Sequence, residues 1–411
     1  MSLHRDHVSH VFIHEEELSA TRFRDLKLGS AFQPIISLSH RRVVGHEALL
    51  RACTPEGKAV SPPAVFALAV DGRETVQLDR LCRTLHVRNY IADAPSETWL
   101  FLNVSAAVVV EGRQYGAFFE QMLAACGFSA HRIVVEILEG AVSDETRLAA
   151  AADYYRSLGC LVAIDDFGAG HSSFERIWRL RPDIVKLDRH IIATAVADAR
   201  AMRMTNNMVS MLHEAGSLVL VEGVETTEQA LAAMETDADF AQGYCLGRPA
   251  PVPVAPDPCG ILEPLCHDFH SRVRTRSDAH SRVFVRFREP MTRVVAQLCT
   301  RESLRDASTE LVGETGFRRA YLLDENGFQI DSNIEDPRPR DPRYAPLVNA
   351  RGANWFRRPY FRKAIARPGE LQRTRPYLSI TDACMCVTLS IAFKMNGERR
   401  VLCCDIEMSG P

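Results

Sequence analysis

Six short apolar runs in this 411-residue chain end at or beside an acidic residue or an asparagine, where an ordinary soluble core does not place one. They are Val43–Glu47, Leu100–Asn103, Ile133–Glu136, Val162–Asp166, Ile184–Asp188 and Leu218–Glu222. A buried carboxylate is costly unless something positive compensates it, so several converging at one end of a sheet imply a cation. The pattern constrains the fold: the strand ends must meet at a charged centre.

Two further runs, Ala31–Ile36 and Ala241–Leu246, bring the strands to eight. Between them, residues 62–92, 116–126, 144–158, 199–215 and 227–235 carry apolar residues at spacings of three and four, the mark of amphipathic helices. Eight strands alternating with helices over this length predict an α/β fold, a TIM-type (β/α)8 barrel whose chemistry sits at the C-terminal ends of the strands. Six prolines between Pro249 and Pro264 stiffen the chain and mark a boundary. A mostly helical connector follows over residues 265–311, with Pro290 as an interruption or a first-turn residue. Beyond it, Arg319–Leu323 and Phe328–Ile330 flank an Asn326-Gly327 turn, and Met385–Phe393 and Arg400–Ile406 flank Asn396-Gly397. These two hairpins and a helix near residues 355–366 predict a small α+β module. The expected organisation is an N-terminal extension over residues 1–24, the barrel over 25–255, a proline-rich and helical linker over 256–300 and the small module over 301–411.

A net charge of −3 gives no general attraction to a nucleic-acid polymer, and the basic stretch Arg272–Arg288 is explained as well by a solvated helix face. Residues 1–17 lack the apolar centre of a signal peptide, and no run approaches a membrane span, so the expected location is cytoplasmic, with no membrane partner. In that setting the 12 cysteines are expected to be reduced thiols.

The side chains at the strand ends are almost all oxygen donors: Glu47, Asn103, Glu136, Asp165, Asp166 and Glu222. Carboxylate and amide oxygens without histidine or thiolate favour Mg2+ or Mn2+ over zinc. The adjacent Asp165 and Asp166 can reach different sides and serve two ions. A two-metal centre suits in-line displacement at phosphorus, because it activates a water and neutralises phosphodiester oxygens. Arg51, four residues past Glu47, can clamp a phosphate, and Lys186, set mid-strand among apolar neighbours, can orient the attacking water or help deprotonate it.

The stretch AFQPIISLSHRRVVGHEALLR at residues 31–51 resembles the opening of the EAL family of cyclic di-GMP phosphodiesterases, with Glu47-Ala48-Leu49 as the eponymous tripeptide. The resemblance continues through FLNVS at 101–105, EILEG at 136–140, IDDFGAGHSS at 164–173, DIVKLDR at 183–189, VEGVET at 221–226 and QGYCLGRP at 242–249. It implies hydrolysis of one phosphodiester bond of cyclic di-GMP to give linear pGpG, with Mg2+ or Mn2+ at two sites held by Glu47, Asn103, Glu136, Asp165, Asp166 and Glu222. The same resemblance implies catalytic roles for Lys186, Glu47 and Glu225. It implies substrate-binding roles for Arg51, Gln33, Leu50, Gln242 and Asp188, although Asp188 is also read as a support for Lys186. Glu139, Gly168 and Gly170 would support the loop after the paired aspartates, and a homodimer is expected. Leu138, Ala169, His171, His46 and Val221 depart from the common family pattern without removing a ligand.

Two other readings stand beside this one. A non-catalytic receptor for cyclic di-GMP would signal through the connecting helix, and an enolase-type barrel also sets carboxylates, lysine and Mg2+ at strand ends. At the C-terminal end, residues 354–361 with Tyr377 and Asp382 loosely resemble a PAS or Cache-type sensory module. An unknown small ligand there, an anion or an amino-acid-like molecule, is weighed against plain aromatic packing. Cys384 with Cys386 and Cys403 with Cys404 are read as buried small hydrophobes ahead of a thiol cluster.

Overall fold

Strand β3 (Leu26–Ser37) runs antiparallel to β4 (Arg42–Cys53), and this pair closes an eight-stranded barrel. Beyond β3 the sheet is extended by β1 (Phe12–Glu15) and β2 (Leu18–Phe23), and beyond β4 by β5 (Ala59–Val60). From β4 the barrel continues in parallel through β6 (Trp99–Val104), β7 (Ile133–Leu138), β8 (Leu161–Phe167), β9 (Ile184–Leu187), β10 (Leu218–Val221) and β11 (Phe240–Ala241). β11 then pairs antiparallel with β3. The computed structural model describes residues 12–15, 18–93, 97–111, 118–138, 144–170, 174–253, 258–300, 303–337, 350–379 and 384–407. The chain divides into two units, Met1–Ser271 and Arg272–Pro411.

The expected barrel is present, with two differences. A turn, not a helix, joins β3 to β4, so the first strand is reversed relative to the other seven. A connection of four residues cannot carry the chain back along a barrel, whereas a parallel crossover needs a dozen or more. The run at 241–246 is strand only at Ala241; past it the chain turns, because the Gln242 and Val224 backbones bond each other. Residues 62–92 form two helices, Pro62–Phe66 and Gly72–Asp93, separated around Gly72.

Helix starts follow local chemistry. The Asp144 carboxylate accepts from the backbones of Thr146 and Arg147, and Thr226 with Gln229 forms a reciprocal capping box. Their apolar faces pack outside the barrel around Val135, Val162, Val185 and Val219. Inside, Ile35, Phe101, Val134, Ala163, Ile184, Leu220 and Phe240 make one apolar layer.

The helix Pro258–Cys299 contains the division between the units, and it runs through Pro290 without a break in assignment. Pro290 is therefore neither an interruption nor a first-turn residue. The carbonyl that proline leaves unpaired belongs to Arg286, which is exposed, so water can satisfy it. Phe287, Met291, Val294 and Leu298, at spacings of four and three, bury one face against the second unit's sheet.

That sheet has the order β13 (Ile334–Glu335), β12 (Phe317–Asp324), β17 (Glu398–Glu407), β16 (Met385–Met395), β14 (Gln372–Arg373), with β15 (Tyr377–Leu378) also on β16. Both expected hairpins form; Asn396 and Gly397 have φ of 53° and 86°, the left-handed pair that a two-residue hairpin turn requires. The expected helix is confined to Pro359–Ala366. Leu402, Cys404 and Ile406 face the long helix, while Val401, Cys403 and Asp405 alternate to the other face. Adjacent Cys403 and Cys404 thus point apart, and Cys386 pairs with Glu407, so the thiols form no single cluster.

Candidate active site

One pleat above the apolar layer, the barrel interior turns polar. Each strand's next inward residue lies two positions on, so Phe101 leads to Asn103, Val134 to Glu136, Ala163 to Asp165, Ile184 to Lys186, Leu220 to Glu222 and Phe240 to Gln242. On β4, Gly45 leads to Glu47. In the reversed β3 the same step runs backwards, from Ile35 to Gln33, which pairs in register with Glu47. Alternation alone therefore delivers eight polar side chains to one level.

Lys186 occupies the centre. Its Nζ lies 2.6 Å from Glu136 Oε1, 2.6 Å from Glu222 Oε1, 2.9 Å from Asp165 Oδ1 and 3.8 Å from Glu47 Oε1. Burial alone would drive the ammonium to lose its proton, but the Asp165, Glu136, Glu222 and Glu47 carboxylates overcome it and hold the pKa well above the usual lysine range. Lys186 is therefore a proton donor without bound cations, not a base.

One ammonium does not neutralise this many acids. Burial first, then the neighbouring carboxylates, pushes Glu136 well above the usual range, and burial pushes Glu222 up to about 8. Asp166 is raised for the same reason, with Asp165 next to it. Glu136 Oε2 is buried and has no hydrogen-bond donor among the described residues. One oxygen from each of Asp165, Asp166 and Glu222 lies within 4.8 Å of the other two. Hard oxygen donors, excess negative charge and an orphaned carboxylate oxygen fit divalent cations of the magnesium type.

Backbone geometry keeps the two aspartates apart. Asp166 has φ 57°, a left-handed conformation costly for most side chains but tolerated by aspartate, and the β8–β9 register shifts there. Glu47 is held from two sides: Asn103 Nδ2 donates to Oε1 at 3.1 Å, and Gln242 Nε2 donates to Oε2 at 2.7 Å and to Gln33 Oε1 at 3.1 Å. Gln33 Nε2 in turn donates to the Gly247 carbonyl.

The remaining expected site residues lie elsewhere. Arg51 is exposed on β4, its Nη1 donating to the Leu50 carbonyl at 3.0 Å. Leu50 itself packs outward with Leu28 and Leu85, so its side chain is turned away from the polar layer. Asp188 accepts from the His190 backbone and starts the helix Arg189–Ala197; it is not within ion-pair distance of Lys186, because its geometry is committed to the cap. Glu225 is exposed just before the helix Thr227–Glu235. Gly168 and Gly170 have φ of 101° and 123°, and a Cβ at Gly168 would meet Ile191 Cδ1 at 2.3 Å. Glu139, His171 and Asp382 lie outside the described residues.

Sequence reasoning did not find the group behind Arg51. Buried His86 Nδ1 lies 2.8 Å from Ser30 Oγ, which also accepts from Asn89 Nδ2. Burial, with Arg51 adding repulsion, lowers the His86 pKa to about 4. The available signal was a histidine on the apolar face of a helix, which is too common to single out.

The family model described as EAL domain matches residues 16–249. The chain is 28% identical over 229 residues to the probable cyclic di-GMP phosphodiesterase PdeN of Escherichia coli, covering 54% of this chain and 43% of that one. It is 30% identical over 249 residues to the cyclic di-GMP phosphodiesterase NbdA of Pseudomonas aeruginosa, covering 58% and 31%. The chain thus spans less than half the length of either relative. Against YkuI of Bacillus subtilis, an uncharacterized EAL-domain containing protein, identity is 25% over 366 residues, with 83% and 85% covered. The crystal structure of YkuI in complex with c-di-GMP and calcium superposes with a TM-score of 0.79 over 93% of this chain and 97% of that one, at 22% identity.

Proposed function

The chain belongs to the EAL domain family, and from that premise we propose that it is a metal-dependent phosphodiesterase that hydrolyses cyclic di-GMP to linear pGpG. The observation that carries the reading is the convergence of Glu47, Glu136, Asp165 and Glu222 on Lys186, with Asp166 alongside.

Glu47, Asn103, Glu136, Asp165, Asp166 and Glu222 would hold two Mg2+ or Mn2+ ions. Such ions, when bound, lower the pKa of water and screen the charge that gathers on phosphodiester oxygens. The amides of Asn103 and Gln242 fix both oxygens of Glu47, so that carboxylate needs no reorganisation to act. Lys186 places a positive charge in a dry interior, where it stabilises a hydroxide or a developing oxyanion far better than it would in water. Arg51, exposed on the strand that carries Glu47, is suited to the non-reacting phosphate. Glu225 and Gln33 complete the site at its rim and its floor.

The reading includes a homodimer, a cytoplasmic location and regulation by the second unit, the last supported by one helix, Pro258–Cys299, entering both units. Among the described residues no helix is long and apolar enough to cross a membrane.

The test is incubation of the purified protein with cyclic di-GMP and Mg2+ or Mn2+, with the nucleotides resolved by chromatography. Linear pGpG supports the proposal. Binding of cyclic di-GMP without product in either metal would leave a receptor and sink the enzyme.

A further inference from the structure

The second unit holds a cavity of about 300 Å3 on the sheet face opposite the long helix, walled by Tyr321, Trp355, Tyr360 and Tyr377. Three charged side chains also line it: Arg319, Arg358 and Asp405. We propose that this cavity binds a small organic monoanion, a carboxylate carried on a short flat or apolar body.

The charges decide the sign. Arg319 and Asp405, both nearly fully buried, face each other with Nε 3.3 Å from Oδ2. Asp405 Oδ1 accepts from Thr388 Oγ1 at 2.7 Å and from the Tyr321 hydroxyl at 3.4 Å, and Arg319 Nη2 donates to Ser379 Oγ. The acid is thus already committed to the protein and offers little to a ligand ammonium. Arg358 is different: its guanidinium rests over the Tyr377 ring at 5.9 Å, and among the described residues no carboxylate lies within ion-pair distance of it. The lining therefore carries one positive charge in excess, next to low-dielectric walls that strengthen its pull on an anion.

The walls decide the body. Tyr360 and Tyr377 stack with centroids 6.3 Å apart, and Tyr321 meets Tyr360 edge-on at 6.3 Å. Burial raises all three phenols above their ordinary range, so they remain protonated at any physiological pH and add no negative charge. A volume of this size is at the low end for small-molecule sites and too small for a nucleotide. None of these residues belongs to the barrel, so the inference is independent of the phosphodiesterase reading.

Calorimetric titration of the full chain with pyruvate, benzoate and the neutral benzamide tests it, without added divalent metal. One or both carboxylates should bind with Kd tighter than about 1 mM, and benzamide at least about tenfold more weakly than benzoate. Arg358→Gln should weaken carboxylate binding about tenfold or more, whereas Arg358→Lys should stay within about threefold of the parent. Benzamide binding as tightly as benzoate, carboxylate binding unchanged in Arg358→Gln, or no heat from either carboxylate at millimolar concentration would each overturn the proposal. So would tighter binding of L-alanine than of pyruvate, which would assign the cavity to a zwitterion.

Discussion

Lys186 Nζ lies 2.6 Å from Glu136 Oε1, and both side chains are essentially excluded from solvent. The pair is the buried counter-charge that permits a ring of acids to exist inside a barrel. Removing one partner of a buried ion pair strands the other, at about 3–5 kcal/mol. Lys186→Met should lower stability by that order in chelator-treated protein, measured by urea unfolding. Saturating Mn2+ should restore part of the loss, since added cations replace the missing charge, but product formation from cyclic di-GMP should stay abolished. A loss of stability that Mn2+ leaves unchanged would argue against a metal site among these acids.

Gln242 reaches Glu47 directly, whereas Gln33 reaches it through Gln242. Groups that orient a metal-binding carboxylate typically contribute about 10–100-fold to affinity or activity. Gln242→Leu should reduce kcat/KM within that range and weaken Mn2+ binding, and Gln33→Leu should do less. An equal loss in both would contradict the relay.

The buried His86 predicts a pH dependence. Its folded-state pKa of about 4 lies below the ordinary 6.5, so the unfolded chain takes up a proton that the folded chain refuses. The stability that this histidine contributes is whole above pH 6.5 and is lost as pH falls towards 4, by about 3 kcal/mol. The variant His86→Gln should lose less stability between pH 7 and pH 4.5 than the parent does, in urea titrations at each pH. Parallel losses would show that other groups control the acid limb.

Gly243 and Gly29 should respond oppositely to a methyl group. A Cβ at Gly243 would meet the Val224 backbone at 2.1–2.5 Å, and backbone cannot swing aside as a side chain can. Gly243→Ala should therefore displace the neighbouring Gln242 and reduce activity at least about tenfold, by loosening the Glu47 clamp. At Gly29 a Cβ meets nothing within 4 Å, so Gly29→Ala should leave thermal stability and turnover near the parent values.

Much of the site was legible because a strand alternates with a period of two. An acid beside the end of an apolar run, repeated around a barrel, has one place to go, and Glu136, Asp165, Lys186 and Glu222 went there. Periodicity could not say which polar residues near the strand ends leave the ladder. Asp188 became a helix cap because the chain turns immediately after Leu187, and Leu50 faced outward because it is an odd number of residues from Glu47. Pro290 misled for a related reason: its backbone penalty is local, while the burial of Phe287, Met291, Val294 and Leu298 that outweighs it is spread along the helix.

By itself the sequence determined the barrel, the oxygen-rich ligand set and the two Asn-Gly hairpins, since each depends on neighbours along the chain: pleat, donor chemistry and turn angles. The tertiary structure alone decided that β3 runs backwards and so lifts Gln33 to the level of Glu47. It alone decided that Lys186 faces four carboxylates at once, and that Asp405 is spent on Arg319 while Arg358 is left for a ligand. Those outcomes depend on distances between residues far apart in sequence, and on the low dielectric that their mutual burial creates.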